Sequence, residues 1–418
     1  MHYQVIIVGA GTGGIMTAGQ LLKKDKSLSI AIIDPAETHY YQPAFTLVGA
    51  GAFNMENTHK PTKELIPNGA KWIKEFVDAV DPETKRVTIR SGEELSYNYL
   101  VLSPGLVNNL DGIEGLRDAI EKKVACSNYI DPTLTWKLLQ DFKGGNAIFT
   151  MPTTPIKCGG APQKAAYLAA DFLKDKKFDK PTNIIYATPG SVVFGVPEVR
   201  KTLESVINRY GIKFKPSYAP IKIDAANKVV TFKMINQTDN ACIINTDDSI
   251  GEEIKGDSII EIPFDFLHLA PPEEAPPFIK NSVLANEAGW IDVDINTLQH
   301  NRFPAIFGIG DAAALPTAKT GAAIRKQVPI VVGHILQMIK NGSISNDRYY
   351  GYSSCPLVTG YGKMVLAEFN YKNEFTPDPK LKQLFIKDSS KEHWRLWMLK
   401  KYLLPYLYWN KMMKGENV

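Results

Sequence analysis

The chain has 418 residues, of which 44% are hydrophobic and 22% charged. This length and composition allow two or three domains with substantial cores and exclude a disordered or fibrous protein. The 48 Lys and Arg residues exceed the 44 Asp and Glu residues by only four, so we expect no nucleic-acid partner. The sequence contains no apolar run of about 18 residues, the length that a membrane-spanning helix requires.

Cysteine usage and the first residues suggest a compartment. Four cysteines at wide spacing fit neither a disulfide scaffold nor a zinc site, so we expect no bound metal. A strand-like run, Tyr3–Val8, begins almost at once, with no signal-peptide or transit-peptide pattern before it. We therefore expect a protein on the cytosolic side of the membrane.

The first 34 residues predict a βαβ unit that binds a dinucleotide. The run Tyr3–Val8 leads into Gly-Ala-Gly-Thr-Gly-Gly, and after a helix a second apolar run ends at Asp34. Gly9 allows a tight turn, Gly11 lets the backbone approach a pyrophosphate, and Gly14 lets helix and strand pack closely. Asp34 is placed to accept a hydrogen bond from a ribose hydroxyl, which a turn that binds nothing would not explain.

A second nucleotide-domain pattern begins near residue 146. We expect strands at Asn146–Met151 and Asn183–Thr188, with a helix from Pro162 to Leu173 between them. The second strand is followed by Pro-Gly-Ser-Val-Val-Phe-Gly, which is not the glycine-rich loop that a pyridine nucleotide needs. This domain is therefore expected to be Rossmann-like with a degenerate nucleotide loop.

The later segments return the chain to the first domain. A buried strand from Tyr97 ends in a turn at Gly105, and a proline-rich linker at 271–277 precedes a strand that ends at Gly310 and Asp311. We predict an α/β fold with two Rossmann-like dinucleotide-binding domains, resembling glutathione reductase, and a C-terminal helical membrane-binding region. The predicted units are a discontinuous first domain at 1–110 and 266–335, a second domain at 111–265, and a C-terminal region at 336–418. The family resemblance given next implies that the first unit binds FAD and that the last holds the quinone site and associates with the membrane.

These motifs resemble the flavin disulfide reductase superfamily and, within it, the mitochondrial-like branch of the sulfide:quinone oxidoreductases. The segments that carry the resemblance are His39–Gly51, Thr154–Lys164, Gly289–Asp294, Leu315–Thr320 and Ser354–Tyr361. The resemblance implies a peripheral membrane enzyme that oxidises hydrogen sulfide, stores sulfane sulfur on a cysteine pair and passes two electrons through FAD to a membrane quinone. It also implies a sulfane-sulfur acceptor, which could be a thiol, sulfite or sulfide. It is compatible with a homo-oligomer as well as with a monomer.

The resemblance also implies which residues contact the flavin. Asp311 is expected to bind the ribityl chain or the flavin phosphates, and the turn at Pro43 to cover the isoalloxazine ring. Lys319 would stabilise the negative charge of the reduced flavin, although a surface lysine in a loop is the alternative. The predicted FAD contacts are Gly9, Gly11, Gly14, Asp34, Gln42, Pro43, Gly105, Gly310 and Asp311.

Cys158 and Cys355 form the redox pair that the resemblance implies. Cys158 follows Lys157 and precedes a helix, so a cation and a helix N-terminus should lower its pKa. Cys355 is expected in an irregular loop, while inert packing is the alternative for either cysteine taken alone. Hydrosulfide would attack a disulfide or trisulfide between the two, one cysteine would become a persulfide, and the freed thiolate, assigned to Cys355, would add to flavin C4a.

The other cysteines have less defined roles. Cys126 stands 32 residues before Cys158, near where three-cysteine branches of the family place a residue that links to flavin or acts on sulfide. The mitochondrial-like branch uses two cysteines, and Lys164 stands where the three-cysteine branch has an acid. The sequence leaves a catalytic role for Cys126 open and predicts a structural role for Cys242.

The C-terminal end predicts a membrane-binding segment. Residues 391–418 hold six basic and two acidic side chains, which accounts for the whole net charge of +4. Pro405 predicts a division into two short helices, and the second places one arc of aromatic and methionine side chains opposite its lysines. That arc, expected to lie at the acyl boundary, contains Tyr406, Tyr408, Trp409, Met412 and Met413.

We therefore expect a peripheral membrane protein on the cytoplasmic face of the cell membrane. A C-terminal hairpin packed on the body or on a sister subunit is the alternative. The predicted membrane-contacting residues are Trp394, Trp397, Tyr406, Trp409, Lys411 and Lys414.

Three other functions are less consistent with the sequence. A type II NADH:quinone reductase needs a glycine-rich loop after Thr188, which is missing. A flavocytochrome sulfide dehydrogenase would require export and a haem partner. A non-catalytic flavoprotein would leave the paired cysteine segments unexplained.

Overall fold

The structure is a computed structural model that describes residues 1–235 and 247–417. Cys242, predicted to be structural, lies outside the described residues. Within those two ranges, none of the helices combines the length and the apolar character that a membrane crossing needs. The described residues also contain no cluster of His, Cys, Asp or Glu side chains that could hold a metal ion.

The described strands are β1 (His2–Val8), β2 (Ile30–Ile33), β3 (Thr38–Tyr40), β4 (His59–Pro61), β5 (Ala70–Ile73), β6 (Val77–Asp81), β7 (Arg86–Ile89), β8 (Glu94–Leu102), β9 (Val107–Asn108), β10 (Ala125–Cys126), β11 (Gly145–Thr150), β12 (Thr182–Thr188), β13 (Lys213–Pro216), β14 (Tyr218–Asp224), β15 (Val229–Met234), β16 (Glu253–Gly256), β17 (Ile259–Pro263), β18 (Phe266–Leu269), β19 (Glu273–Glu274), β20 (Ile306–Gly308), β21 (Ser353–Gly360) and β22 (Lys363–Phe369). The described α-helices are α1 (Thr12–Lys24), α2 (Phe45–Val48), α3 (Leu116–Glu121), α4 (Pro132–Asp141), α5 (Ala161–Leu173), α6 (Pro197–Tyr210), α7 (Pro277–Lys280), α8 (Gly321–Asn341), α9 (Trp394–Met398) and α10 (Leu404–Asn410).

The first sheet contains the predicted βαβ unit. Its strands run in the order β5-β2-β1-β8-β7-β6, and β20 pairs with β8. β1 is parallel to both β2 and β8, and Val5 lies opposite Ile30 and Tyr99. β1 is buried on both faces, because Val5 and Ile7 pack with helices α1 and α8 while Ile6 and Val8 pack with apolar side chains of β6, β7 and α7. This burial explains why β1 is a continuous β-branched run without alternation. The pairing of β20 with β8 brings the late Gly310–Asp311 segment to this sheet.

The second sheet is parallel throughout, in the order β10-β18-β11-β12-β13, whereas β6, β7 and β8 of the first sheet pair antiparallel. Since β18 pairs with β11, the segment Phe266–Leu269 belongs to the second domain. The chain therefore returns to the first domain after Leu269, not at residue 266 as predicted. The antiparallel sheet β14-β15-β17-β16 packs its apolar side chains against one face of this second sheet.

Cys355 lies in a regular hairpin, so the prediction of an irregular loop is wrong. Strands β21 and β22 are antiparallel, and Cys355 lies opposite Ala367. A two-residue turn joins them, in which Gly362 has a φ of +77°. Among the described residues β21 pairs with the single strand β22, so the missing N–H of Pro356 can be tolerated.

The C-terminal segment is one continuous helical run, which corrects the predicted division at Pro405. Helix α9 passes through a π-helical turn, Leu399–Leu403, directly into α10. Leu403 and Leu404 both have right-handed helical backbone angles. The wider turn before Pro405 relaxes the local hydrogen-bond ladder, so a residue without an N–H can follow without breaking the helix.

Candidate active site

The glycine loop between β1 and α1 has the geometry that its sequence predicts. A Cβ on Gly9 would lie 2.3 Å from the Ser103 carbonyl oxygen, and one on Gly14 would lie 1.8 Å from the Gly9 carbonyl oxygen. Both positions therefore require glycine. A Cβ on Gly11 would meet no atom within 4 Å, so the loop borders open space there. The Ala10 N–H donates to Asp34 Oδ2 at 2.6 Å, which fixes the acidic residue against the loop.

These features fit a dinucleotide. Gly11 is the N-cap of α1 and provides no side chain to accept from the first N–H groups of the helix. Such groups, beside open space, form the usual binding site for a pyrophosphate. The first domain can therefore hold FAD, with Gly11 near the phosphates and Asp34 near the ribose.

The other predicted cofactor residues line the same domain. Gly105 and Gly310 have φ values of +72° and +74°, which favour glycine. Asp311 lies in a 3₁₀ turn, Gly310–Ala312, and burial raises the pKa of its carboxyl group. Gln42 and Pro43 begin another 3₁₀ turn, Gln42–Ala44, directly before α2.

The structure brings Cys158 and Cys355 together although 197 residues separate them in the sequence. Cys158 lies three residues before α5, and Cys355 lies in β21. The two thiols lie close enough for each to shift the pKa of the other. A Cβ on Gly160 would lie 2.8 Å from Cys355 Sγ, so a glycine at this position lets the hairpin approach the start of the helix.

Cys158 has a strained backbone held by its neighbours. Its φ is +49°, in the left-handed region that non-glycine residues rarely adopt. Its N–H donates to the Lys319 carbonyl at 2.8 Å, and its carbonyl accepts from the Ala161 N–H at 2.7 Å. Strain of this kind persists where the surroundings fix the conformation, and it is concentrated at functional sites.

A buried lysine polarises the thiol pair. Lys164 Nζ donates to Cys158 Sγ at 3.0 Å, and this lysine is only 2% exposed. The hydrogen bond from Cys355 and the charge of Lys164 hold the pKa of Cys158 well below its usual range. The same hydrogen bond, together with burial, raises the pKa of Cys355 well above its usual range. In the reduced pair, the negative charge therefore resides on Cys158.

The cation that acts on Cys158 differs from the expected one. Lys157 Nζ forms an ion pair with Glu273 at 3.1 Å, which occupies its charge. Lys164, two residues into the predicted helix from Pro162, fulfils the role instead. The sequence did contain a signal, since Lys164 is the one charged residue in the run Ala-Pro-Gln-Lys-Ala-Ala-Tyr-Leu-Ala-Ala.

Lys400 is a further buried lysine. Its sequence context predicted only a contribution to the positive charge of the C-terminal segment. It lies in the π-helical turn, is 3% exposed, and donates from Nζ to the Pro43 carbonyl at 2.6 Å. Burial and the nearby charge of Lys164 lower its pKa to about 7. In the sequence, the position of Lys400 among leucines, methionines and aromatic residues was the signal that this lysine is buried. The C-terminal helix thus brings an ionisable group to the turn predicted to cover the flavin.

Lys319 connects the Asp311 turn to the cysteine loop. Its Nζ donates to the carbonyls of Asp311 and Ala313, and its ammonium lies 4.2 Å from the centre of the Trp290 ring. Burial lowers its pKa to about 8. It is therefore a partly buried lysine and not the surface lysine of the alternative interpretation.

Cys126 differs from the other two described cysteines. It is fully buried in β10, and its thiol donates to the Leu267 carbonyl at 3.4 Å. Burial raises its pKa to about 12, which suppresses the reactive thiolate. This environment is typical of a packing cysteine.

The degenerate loop of the second domain is unsuited to a pyrophosphate. The residues after Thr188 lead to α6, which begins with Pro197 and has Glu198 in its first turn. Proline supplies no N–H at a helix start, and an acid there repels phosphate.

In the C-terminal helical run, the side chains that face solvent are only in part the ones that the sequence predicted. Trp397 and Trp409 are buried, so they cannot be the lipid contacts that we expected. Tyr408, Met412 and Met413 are buried too, because this side of the run packs on the first domain. Lys411 pairs with Glu416 at 2.7 Å, and Lys414 is exposed. The exposed aromatic and apolar side chains, which we call the apolar stripe, are Trp394, Met398, Tyr402, Leu403 and Tyr406.

A cavity of about 760 Å³ opens beside the apolar stripe. It lies between the C-terminal helical run and the segment that follows α2. Its lining mixes aromatic with basic and amide side chains and includes Phe53, Asn57, Lys60, Lys401, Tyr402 and Tyr406.

The fold and the site define the class of protein. Residues 3–329 match the family model described as pyridine nucleotide-disulphide oxidoreductase. The chain is 36% identical over 416 residues to "Sulfide:quinone oxidoreductase, mitochondrial" of Mus musculus, covering 99% of this chain and 87% of the relative. It is 37% identical over 418 residues to the protein of the same name from Dictyostelium discoideum, covering 99% and 86%. The chain therefore belongs to the sulfide:quinone oxidoreductase family.

The solved structures agree on the fold. The X-ray structure of the sulfide:quinone oxidoreductase from Aquifex aeolicus matches with a TM-score of 0.78 at 20% identity, covering 99% of this chain and 92% of that one. At this identity the likeness establishes the α/β architecture alone. The two sequence relatives are named as mitochondrial, so they give no support to the predicted position on the cytoplasmic face of the cell membrane.

Proposed function

We propose that this chain oxidises hydrogen sulfide through the Cys158–Cys355 pair and passes two electrons by way of FAD to a membrane quinone. The names of the sequence relatives support the overall reaction. The observation that carries the proposal is the buried thiol pair with the Lys164 ammonium 3.0 Å from one sulfur. An inert pair of core cysteines would not need a buried cation, because burying a charge is costly without a function or a partner.

The polarity of the pair determines the direction of the first step. In thiol–disulfide exchange, the sulfur with the lower pKa leaves more readily. Starting from the disulfide, hydrosulfide attacks the Cys355 sulfur, the bond between the two cysteines breaks, and Cys158 leaves as a thiolate stabilised by Lys164. Cys355 then carries the persulfide. This assignment reverses the one implied by the resemblance, in which Cys355 was the freed thiolate.

The second step returns the pair to its starting state. A sulfane-sulfur acceptor (thiolate, sulfite or a second sulfide) attacks the outer sulfur of the persulfide and removes it, which leaves both cysteines reduced. The two reduced cysteine sulfurs then form their disulfide again; bound FAD would supply the two-electron acceptor for this re-oxidation, and the quinone would receive the electron pair. The sulfur gains no oxygen, and the two electrons lost by sulfide equal the two gained by the quinone.

The lysines around this centre hold charge and protons. Lys164 stabilises the Cys158 thiolate in each reduced form. Lys319 fixes the Asp311 turn through two hydrogen bonds to carbonyl groups, and its own carbonyl accepts from the Cys158 N–H, so its positive charge lies between that turn and the cysteine loop. Lys400, with a pKa of about 7, can hold or release a proton near neutral pH beside Pro43.

The apolar stripe and the neighbouring cavity support the membrane part of the proposal. The stripe presents aromatic side chains on the outer side of a helical run whose inner side carries Lys400. Aromatic residues flanked by lysines are typical of helices that lie at an anionic lipid surface. The cavity beside the stripe, lined by Tyr402 and Tyr406, would admit a quinone from the bilayer.

An anaerobic titration of the flavin-loaded protein tests the proposal. Sulfide should bleach the flavin absorbance, and NADH at the same concentration should not, because the loop after Thr188 cannot bind a pyrophosphate. Bleaching by NADH with indifference to sulfide would transfer the assignment to a type II NADH:quinone reductase.

Three cysteine variants provide the matched comparison. Cys158→Ser and Cys355→Ser should each abolish sulfide-driven quinone reduction while FAD stays bound. Cys126→Ser should retain it, because Cys126 is a packing residue. Turnover in both Cys158→Ser and Cys355→Ser would rule out the proposed redox pair, and mass spectrometry of the sulfide-treated protein should locate the persulfide on Cys355.

A further inference from the structure

The end of the C-terminal segment, residues 404–417, packs against the glycine loop and helix α1. Its buried side chains share one core cluster with residues of β1 and α1, such as Ile7 and Met16. The cluster members from the segment are Tyr408, Trp409, Met412 and Met413. A segment that served only to contact lipid would not need to bury these side chains against the dinucleotide fold.

A chain of hydrogen bonds joins this segment to the glycine loop. The Tyr408 hydroxyl lies 2.8 Å from Thr12 Oγ1 and 2.5 Å from His39 Nε2. The other ring nitrogen, His39 Nδ1, lies 2.9 Å from the Ala10 carbonyl oxygen. Tyr408 thus contacts Thr12 directly and Ala10 through one histidine, and these residues flank Gly11 on either side.

The direction of each hydrogen bond follows from the chemistry of the groups. A carbonyl can only accept, so His39 carries its hydrogen on Nδ1, and Nε2 accepts from the Tyr408 hydroxyl. The Tyr408 oxygen can then accept from the Thr12 hydroxyl. Burial lowers the pKa of His39, which agrees with a neutral ring that donates on one side and accepts on the other.

The backbone of the segment also contacts helix α1 closely. A Cβ on Gly19 would lie 3.1 Å from the Gly415 Cα, and one on Gly415 would lie 2.6 Å from the Gly19 carbonyl carbon. Gln20 Nε2 donates to Asn417 Oδ1 at 2.8 Å one residue further along. Residues 404–417 are therefore attached to α1 along its length as well as at its N-terminal loop.

This attachment bears on cofactor binding. A glycine-rich loop loses much conformational entropy when it closes on a pyrophosphate, and a restraint on both sides of Gly11 removes part of that cost before the ligand arrives. We propose that Tyr408 is a positioning residue of the dinucleotide site and that residues 404–417 are required for tight FAD binding. The inference rests on the proposed use of FAD.

The test compares two tyrosine variants that each lose one hydroxyl group. Tyr408→Phe should weaken FAD binding by about tenfold, because it leaves the Nε2 atom of His39 buried without a donor. Tyr350→Phe, at a residue that is 72% exposed, should bind FAD like the wild type. Affinity is measured by titrating apoprotein with FAD and following the flavin fluorescence. At saturating FAD, sulfide should reduce the flavin of Tyr408→Phe to the wild-type extent. Equal affinities for the two variants would overturn the proposal.

Hydrogen exchange of the wild-type protein gives a second test that needs no variant. Because coupling is reciprocal, FAD should slow amide exchange across residues 404–417. Unchanged exchange there, in protein that has bound FAD, would contradict the inference. Apoprotein that binds no FAD would contradict both the inference and the proposed cofactor. FAD binding that depends on Tyr408, in protein that does not respond to sulfide, would support the inference and contradict the proposed function alone.

Discussion

The Lys164 ammonium donates a hydrogen bond to the Cys158 sulfur at 3.0 Å, inside a region where Lys164 itself is nearly inaccessible to solvent. A full positive charge in such a place needs a negative partner, and the pKa of Lys164 is raised because Cys158 outweighs the cost of burial. The Lys164 ammonium is therefore already in position to stabilise Cys158 as a thiolate. In the proposed mechanism, this relationship determines which sulfur leaves and which one receives the incoming sulfide.

Replacing Lys164 tests that relationship. Lys164→Met should raise the pKa of Cys158, because the hydrogen bond and the positive charge are both lost. Alkylation of the reduced protein at neutral pH should slow roughly tenfold and recover as the pH is raised. Lys164→Arg keeps the charge and should stay closer to the wild type. Identical pH profiles for Lys164→Met and the wild type would refute a role for Lys164 in forming the thiolate.

Two glycines of the loop should respond differently to alanine. Gly14→Ala should destabilise the fold, because its Cβ would lie 1.8 Å from the Gly9 carbonyl oxygen. Gly11→Ala should fold, since Gly11 has a φ of −74° and open space beside it, but it should bind FAD weakly because the methyl group occupies the approach to the pyrophosphate. Thermal unfolding and flavin content measure the two effects separately. Full flavin content in Gly11→Ala would exclude close approach of the cofactor at this residue.

The lowered pKa of Lys400 predicts that the effect of replacing this lysine on thermal stability depends on pH. Its pKa is about 7 in the folded protein and near 10.5 when unperturbed, so between these values the unfolded chain binds more protons. The cost of burying its charge is therefore complete below pH 7 and declines as the pH rises toward 10.5. Lys400→Met should raise the melting temperature relative to wild type most at pH 7 and least near pH 10. A difference that grows with pH would show that Lys400 is stabilised as a cation.

The apolar stripe should govern binding to lipid vesicles. Replacing Trp394, Tyr402 and Tyr406 together by serine should reduce partitioning onto anionic vesicles by about tenfold or more, because three aromatic contacts are lost. The melting temperature should change little, since all three side chains are largely exposed. Tyr350→Ser is the matched control at an exposed tyrosine outside the stripe. Unchanged vesicle binding would instead favour the C-terminal run as a packed structural element alone.

The sequence predicted the first domain well because its signals are local. The glycine spacing, the strand before it and Asp34 after it all lie within 34 residues, and each has a single physical explanation. Gly9 and Gly14 are sites where the backbone approaches too closely for any side chain. The boundary near residue 266 was displaced because strand β18 joins its sheet through a partner more than 110 residues earlier, which no local pattern reveals.

The errors at the C-terminal end have a common cause. A helical arc of aromatic and methionine side chains predicts burial but does not distinguish lipid from protein as the burying surface. The π-helical turn also rotates the residues after it relative to a regular helix, so the exposed side differs from the one that 100° per residue gives. Cys355 was predicted to lie in a loop because the residues around it form no apolar stripe, although they pair as one strand of a two-stranded hairpin.

The position of the hairpin formed by β21 and β22 has a consequence for synthesis. Cys158 leaves the ribosome long before Cys355, and the hairpin that carries Cys355 is made after both nucleotide domains. A nascent chain can therefore fold its two domains and display the lysine-activated sulfur while it still lacks the partner that accepts a persulfide. Under the proposed function, sulfide oxidation therefore requires a chain translated beyond residue 369, and truncated products that end before it would carry a reactive thiol without a catalytic cycle.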